Sequence, residues 1–275
     1  MCRLTFLFVV YCQTSKKDLN VPIFLCQIVR YQKFPELPNQ NSQFFNSQDL
    51  IMLNWLKALC LTQKLTKKNL RDRFSIIYHK NIFGGQKSRS GGGSDLVQTE
   101  TIRYELPALI KELGSQSFLD APCGDFFWMQ ETALEVKNYL GIDIVEKLIG
   151  SNNQQFGSLS HKFLCLNIAD DELPKADLIF CRDCLVHLNY DNIYKVIANF
   201  KRSQSRYLLT TTFIDRRKNV DLIGKDIWRT LNLQLAPFNF PSPLMLINEN
   251  CTEVNGQYAD KCLALWELDD LVIDK

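Results

Sequence analysis

The sequence reads as an α/β protein built on a doubly wound, mostly parallel sheet, with a C-terminal antiparallel hairpin and an N-terminal helical extension. Three observations predict this. From Ser117 onward, short apolar runs alternate with stretches of helical period, the pattern of βαβ units. Those runs are near-continuously apolar, as strands covered on both faces are. The chain has 275 residues, 46% hydrophobic and 23% charged, an ordinary globular make-up for one domain with an extension or two small domains.

Taken in order, residues 1–51 mix short apolar pieces with Asn, Gln and Pro, show no sustained period, and are set apart as an N-terminal extension without an assigned fold. Met52 opens a better-patterned stretch through Leu53, Trp55, Leu56 and Leu59, so one expectation is that translation naturally begins there. Residues 52–94 read as a helical segment followed by a Gly-rich loop, Phe83 to Gln86 and Ser90 to Ser94. Such a loop before the first strand can fold over a bound ligand as a lid. The main domain is expected over 95–275. Asp95 with Gln98 three residues on resembles a capping box, and Ile102, Leu106, Leu109, Ile110 and Leu113 then share one helical face, with Pro107 kinking the helix or marking its first turn.

Strands are expected at 117–120, 139–143, 162–166, 176–181 and 206–213. Helices should lie between them around 128–137, 145–155 and 190–201, the last with Ile193, Val196, Ile197 and Phe200 inward. Runs at 244–248 and 262–268 flank a turn-rich segment and make the final hairpin.

Charge and cysteine content narrow the function. Thirty-two basic against 30 acidic residues leave a net charge of +2, so no strong field marks nucleic acid or an anionic membrane as partner. The ten cysteines lie mostly in apolar runs rather than in a spaced framework and read as reduced thiols of a cytoplasmic protein. Leu4 to Tyr11 is far shorter than the roughly 20 residues of a membrane span, and no small-residue cleavage site follows it.

In a doubly wound, Rossmann-like sheet, ligands bind beyond the carboxyl ends of the strands, and a glycine after the first strand lets backbone approach the ligand. Gly124 is placed for that. Asp143 ends the next strand, where an acidic side chain accepts hydrogen bonds from ribose hydroxyls. The turn Asp120-Ala121-Pro122-Cys123-Gly124-Asp125-Phe126 lacks the first and third glycines of a dinucleotide fingerprint, so a pyrophosphate has no evident cradle. Asp120 at the strand tip would repel phosphate and suits the ammonium of an amino-acid-bearing nucleoside.

Asp120-Ala121-Pro122-Cys123-Gly124-Asp125 resembles motif I of class I S-adenosylmethionine-dependent methyltransferases, with Pro122 where the family usually has glycine. Gly141-Ile142-Asp143-Ile144 resembles their ribose-binding motif, and Asn167-Ile168-Ala169-Asp170-Asp171-Glu172-Leu173-Pro174 their adenine-holding stretch, where the family usually has aspartate first. Ala176 to Leu188 looks like the fourth strand and following loop. The resemblance runs from about Ser90 to the C-terminus and is strongest to a little-characterised bacterial-type subgroup. It implies S-adenosylmethionine as cofactor, its methionine portion at Asp120, Ala121, Pro122, Cys123, Gly124 and Asp125 with Trp128 as a wall, its ribose at Asp143 and Ile144, and its adenine at Asn167 and Ile168. Arg182 and Asp183, at the mouth beyond the fourth strand, are candidates to hold the methionine portion or the acceptor. His187 and Asp183 are the candidate catalytic residues, His187 as general base. The implied reaction moves a methyl group to a small-molecule acceptor or sugar hydroxyl, needs no metal, and involves neither nucleic acid nor membrane.

Plainer readings stand beside these. Gly124 can be an ordinary turn glycine, Asp143 an N-cap, His187 a packed histidine, and Phe127 and Trp128 core aromatics. Cys181 and Cys184, with His187 and Cys165, allow a zinc or dithiol site, disfavoured because a second close ligand pair is missing. Asn239-Phe240-Pro241, with Trp228, Pro237, Phe238 and Pro243, reads as an apolar loop that faces substrate or packs. A nucleotide-binding oxidoreductase and a non-catalytic binding module of the same fold remain alternatives.

Overall fold

A computed structural model of the chain describes residues 69–222 and 226–272. The expectations for residues 1–51, including a natural start at Met52 and the patterned stretch 52–59, lie outside the described residues.

Seven strands form one sheet: β1 (Ser117–Asp120), β2 (Asn138–Asp143), β3 (His161–Cys165), β4 (Leu178–Cys181), β5 (Tyr207–Phe213), β6 (Met245–Asn248) and β7 (Lys261–Glu267). Their order is β3-β2-β1-β4-β5-β7-β6. The first five strands pair in parallel, whereas β7 runs antiparallel to both β5 and β6. The sheet class and the closing hairpin are those the sequence predicts.

Burial on both faces explains the continuous apolar runs. Leu119, Ile142, Ile179, Cys181 and Leu208 enter one core cluster, while Phe118, Tyr139, Phe163, Phe180 and Leu209 enter the other. Successive side chains of a strand point to opposite faces, so every residue of β4 is buried.

The longer described helices are α1 (Leu70–His79), α2 (Glu100–Glu112), α3 (Glu146–Phe156) and α4 (Tyr190–Arg202). In α4 the Asn189 side chain caps the first turn by accepting from the Asn192 N–H, and Ile193, Val196, Ile197 and Phe200 are buried. Helix α1 begins in the same way, with Asn69 accepting from Asp72 N–H.

Two local expectations are corrected. The segment 128–137 is a single 3-10 turn, Met129–Glu131, followed by irregular chain. Trp128 and Met129 turn into the core, Thr132 takes an extended conformation, and the N–H groups of Lys137 and Asn138 both donate to the Gln116 carbonyl, fixing the return to β2 before a helix can grow. The Asp95–Gln98 capping box does not form. The Asp95 carboxylate accepts from Val97 N–H, Gln98 bonds Thr252, and α2 begins only at Glu100, with Pro107 inside the helix rather than in its first turn.

The connection from β5 to β6 is irregular and packs inward. Phe238 and Phe240 are buried against Tyr190, Tyr194 and Trp266, and the Trp266 indole N–H donates to the Pro241 carbonyl. This loop packs; it does not face the cleft described next.

Candidate active site

The carboxyl ends of β1, β2, β3 and β4 open into a cleft of about 1120 Å3, its mouth included. Asp120, Pro122, Cys123, Gly124, Asp125 and Trp128 line it from the first strand and turn, Asp143 and Ile144 from the second, Asn167 and Ile168 from beyond the third, and Arg182, Asp183 and His187 from beyond the fourth. Thus the structure brings into one cavity every candidate cofactor-binding and catalytic residue except Ala121. Ala121 is fully buried behind the turn, its N–H donating to the Phe180 carbonyl at 2.8 Å.

The first turn is held from outside. Gly124 has φ +54°, and a Cβ there would lie 2.3 Å from Ser90 Oγ, so both conformation and space demand glycine. Asp125 next to it accepts from Ser88 Oγ at 2.9 Å, Arg89 N–H at 2.7 Å and Ser90 Oγ at 3.2 Å. Its carboxylate therefore anchors the N-terminal loop on the turn.

The two acidic strand tips are buried. Asp143 accepts from Val145 N–H at 2.9 Å, and burial, partly offset by backbone hydrogen bonds from Val145, Gly124 and Ile144, raises its carboxyl to about 6. Asp120 accepts from the Tyr139 hydroxyl at 2.5 Å, and burial raises it to about 8 against the opposing pull of that hydrogen bond. Gly141 stands between them because a Cβ there would meet the Phe163 ring at 2.7 Å. Asn167 is engaged locally, its amide donating to Asp170 and its side-chain oxygen accepting from Ala169 N–H.

Beyond β4, Arg182, Asp183, Glu249 and Lys261 form a compact ion network. Arg182 bonds Glu249 at 2.7 Å and the Gly93 carbonyl at 2.8 Å, and its guanidinium lies 5.6 Å from the Trp128 ring. Lys261 Nζ is 2.5 Å from Asp183 and 3.2 Å from Glu249. Burial works against the Asp183 charge, but Lys261 and Arg182 outweigh it and hold the carboxyl at about 2. Asp183 has φ +51° and donates its N–H to Thr211 Oγ1, which aims the side chain into the network.

His187 is half-buried, and desolvation lowers its imidazole to about 4, so it is neutral near pH 7. Its Nδ1 lies 2.6 Å from the Ile227 carbonyl. That acceptor requires a proton on Nδ1 and leaves Nε2 as a lone-pair acceptor. Cys181 and Cys184 carry free thiols, the first fully buried at the end of β4, and among the described residues no three His, Cys, Asp or Glu side chains gather as a metal site.

Leu70, Phe74, Ile77 and Tyr78 of α1 form a wall of the cleft that the sequence did not announce, while Phe83, Arg89 and Ser90 line it from the following loop, part of the segment expected as a lid. Arg71 pins α1 over the strand ends by donating to the Ile144 carbonyl and the Cys165 sulfur, both at 3.0 Å. The spacing Leu70, Phe74, Ile77 is helical, but only the fold shows which surface that stripe meets. Glu249 and Lys261, distant in sequence from the cleft motifs, carried no signal at all.

A mostly parallel sheet whose reversed strand β7 lies between β5 and β6, with its cleft at the carboxyl ends of β1 to β4, is the class I S-adenosylmethionine-dependent methyltransferase fold. The N-methyltransferase NodS from Bradyrhizobium japonicum WM9, in complex with S-adenosyl-L-homocysteine, is similar at a TM-score of 0.50 and 16% identity, covering 70% of this chain and 97% of NodS. Magnesium protoporphyrin IX methyltransferase (ChlM) from Synechocystis PCC 6803, with bound S-adenosylmethionine, gives 0.43 at 19% identity, covering 58% of this chain and 80% of that one. No protein-family model and no curated protein sequence matches the chain. Among the described residues no helix is long and apolar enough to cross a membrane.

Proposed function

We propose that this chain is an S-adenosylmethionine-dependent methyltransferase acting on a small-molecule acceptor. The observation that carries the reading is the chemistry of the cleft: two buried carboxylates, Asp120 and Asp143, flank the Gly124 turn, while Ile144, Leu166 and Ile168 line it beyond β2 and β3. An ammonium suits Asp120, ribose hydroxyls suit Asp143, and an adenine ring suits the apolar walls. A pyrophosphate would meet two acids and no glycine-rich cradle. NodS, similar in fold, is a methyltransferase in complex with S-adenosyl-L-homocysteine, which supports the same cofactor here.

When bound, S-adenosylmethionine supplies a methyl group already activated on sulfur. What remains for the protein is alignment and the exclusion of water. Helix α1 and the 88–94 loop are placed to close the cleft, tied down through Arg71, Asp125 and the Arg182 contact to Gly93. In this reading His187, with Nδ1 committed to the Ile227 carbonyl, accepts a hydrogen bond from an acceptor hydroxyl or amine through Nε2. Held near 4, it is a weak base that orients the acceptor more than it deprotonates it. Asp183 is spent on Lys261 and Arg182 and shapes the wall beside His187. The near-balanced charge favours a small molecule or sugar hydroxyl over nucleic acid as acceptor.

The test is turnover. With methyl-labelled S-adenosylmethionine and a panel of sugars, phenols and amines, label should pass to one acceptor class, and His187→Ala should lower kcat by about 10² through lost alignment of the acceptor. Saturable cofactor binding without transfer to any acceptor would favour a non-catalytic binding module.

A further inference from the structure

We propose that Tyr139 is a positioning residue for the cofactor's amino-acid arm: its hydroxyl holds the Asp120 carboxylate at the tip of β1, ready for that arm's ammonium. The inference rests on the cofactor reading above and adds a residue that lies outside the cleft lining.

The register creates the pair. Tyr139 of β2 stands opposite Phe118 of β1, and Asp120, two residues further on, points to the same face. The Tyr139 ring is fixed on several sides, stacked on Phe118 at 5.9 Å and on His161 at 5.3 Å, with the edge of Phe126 at 5.2 Å and Phe163 at 5.8 Å. Its hydroxyl reaches Asp120, where it donates at 2.5 Å. Both residues are 2% exposed, so water cannot replace the contact.

The hydrogen bond matters because of what surrounds Asp120. Burial favours the neutral acid, and Asp143 from the end of β2 works in the same direction; the Tyr139 hydroxyl and, more weakly, Arg182 from beyond β4 oppose them. Cys123 in the turn is a buried neutral thiol, its own ionisation pushed well up, and His161 lies on the far side of the Tyr139 ring. Burial also pushes Tyr139 well up, so it stays a donor throughout the working range. Removing the hydroxyl removes the largest influence favouring the carboxylate. A neutral Asp120 offers the ammonium only a weak dipole.

The experiment measures binding of S-adenosylhomocysteine and of 5′-methylthioadenosine, which lacks the amino-acid arm, to wild type and Tyr139→Phe from pH about 6 to 8.5. The ligand's own ammonium titrates identically for both proteins and cancels in their ratio. For S-adenosylhomocysteine the variant should bind about tenfold more weakly at neutral pH, the gap narrowing as pH rises, because one unit of displaced ionisation is a tenfold change. Methylthioadenosine, including any acid limb contributed by Asp143, should bind both proteins alike. A loss that is the same at every pH, or equal for both ligands, would make Tyr139 merely structural and overturn the proposal, as would an unchanged variant. If neither ligand binds wild type, the cofactor reading itself fails.

Discussion

Burial acts on the two strand-tip carboxylates in the same direction, and this has a consequence for stability as well as for binding. An acid whose folded ionisation is raised binds its proton in the native state when the unfolded chain has lost it, so stability falls as pH rises through that window. For Asp120 the window runs from the ordinary carboxylate range to about 8. His187, lowered to about 4, has the opposite slope but has stopped contributing above its unfolded value of about 6.5. Between about 6.5 and 8, Asp120→Asn should therefore flatten the decline, by roughly 1 to 2 kcal/mol across the interval. That corresponds to a few degrees of melting temperature, readable by calorimetry of the ligand-free proteins. Parallel decline in both would mean that Asp120 titrates as an ordinary surface acid. At this scale the sequence was informative: the acids at strand ends and Gly124 could be named from pattern alone. Their partners could not, because Tyr139, Ser90 and Lys261 become neighbours only through strand register and long crossovers.

The elements were legible where a single periodicity governs. Each strand from β1 to β5 and helix α4 are recovered within two residues because burial on two faces, or on one stripe, leaves a one-dimensional signature. The segment 128–137 misled for a physical reason. Its apolar residues satisfy the core around Trp128 and Met129 from an irregular path as well as they would from a helix. The contact between the N-terminal loop and the first turn gives this scale its prediction. Gly124→Ala places a methyl on Ser90 and forces a left-handed alanine, costing about 1 to 2 kcal/mol for the backbone alone. Cofactor affinity should fall with stability, and adding Ser90→Gly should restore the steric part while leaving the conformational part. Full rescue by Ser90→Gly would mean that the positive φ at Gly124 carries no cost.

At the scale of the molecule, α1 and the 88–94 loop form a cover over the strand ends rather than a separate appendage. Aromatic and aliphatic contacts from Phe74, Tyr78 and Phe83 hold it, so it should tighten when the cleft is filled. Limited proteolysis between Lys80 and Arg89 should slow at least severalfold with S-adenosylhomocysteine present, and Phe74→Ala should abolish most of that protection. Equal cleavage with and without ligand would show that the cover does not respond to the cofactor. The fold class and the position of the cleft followed from the βαβ alternation, and a loop over it from the glycines, whereas the part played by α1 did not, since an amphipathic helix announces that it packs but not against what.

The most direct test of the account is calorimetric titration of the purified protein with S-adenosylmethionine, S-adenosylhomocysteine and NAD in parallel, repeated with Asp143→Ala. The first two should bind saturably and NAD not at all, with a loss of at least tenfold in the variant, the scale of one strong charge-assisted hydrogen bond. Binding of NAD alone, or an affinity for S-adenosylmethionine that Asp143→Ala leaves unchanged, would contradict it.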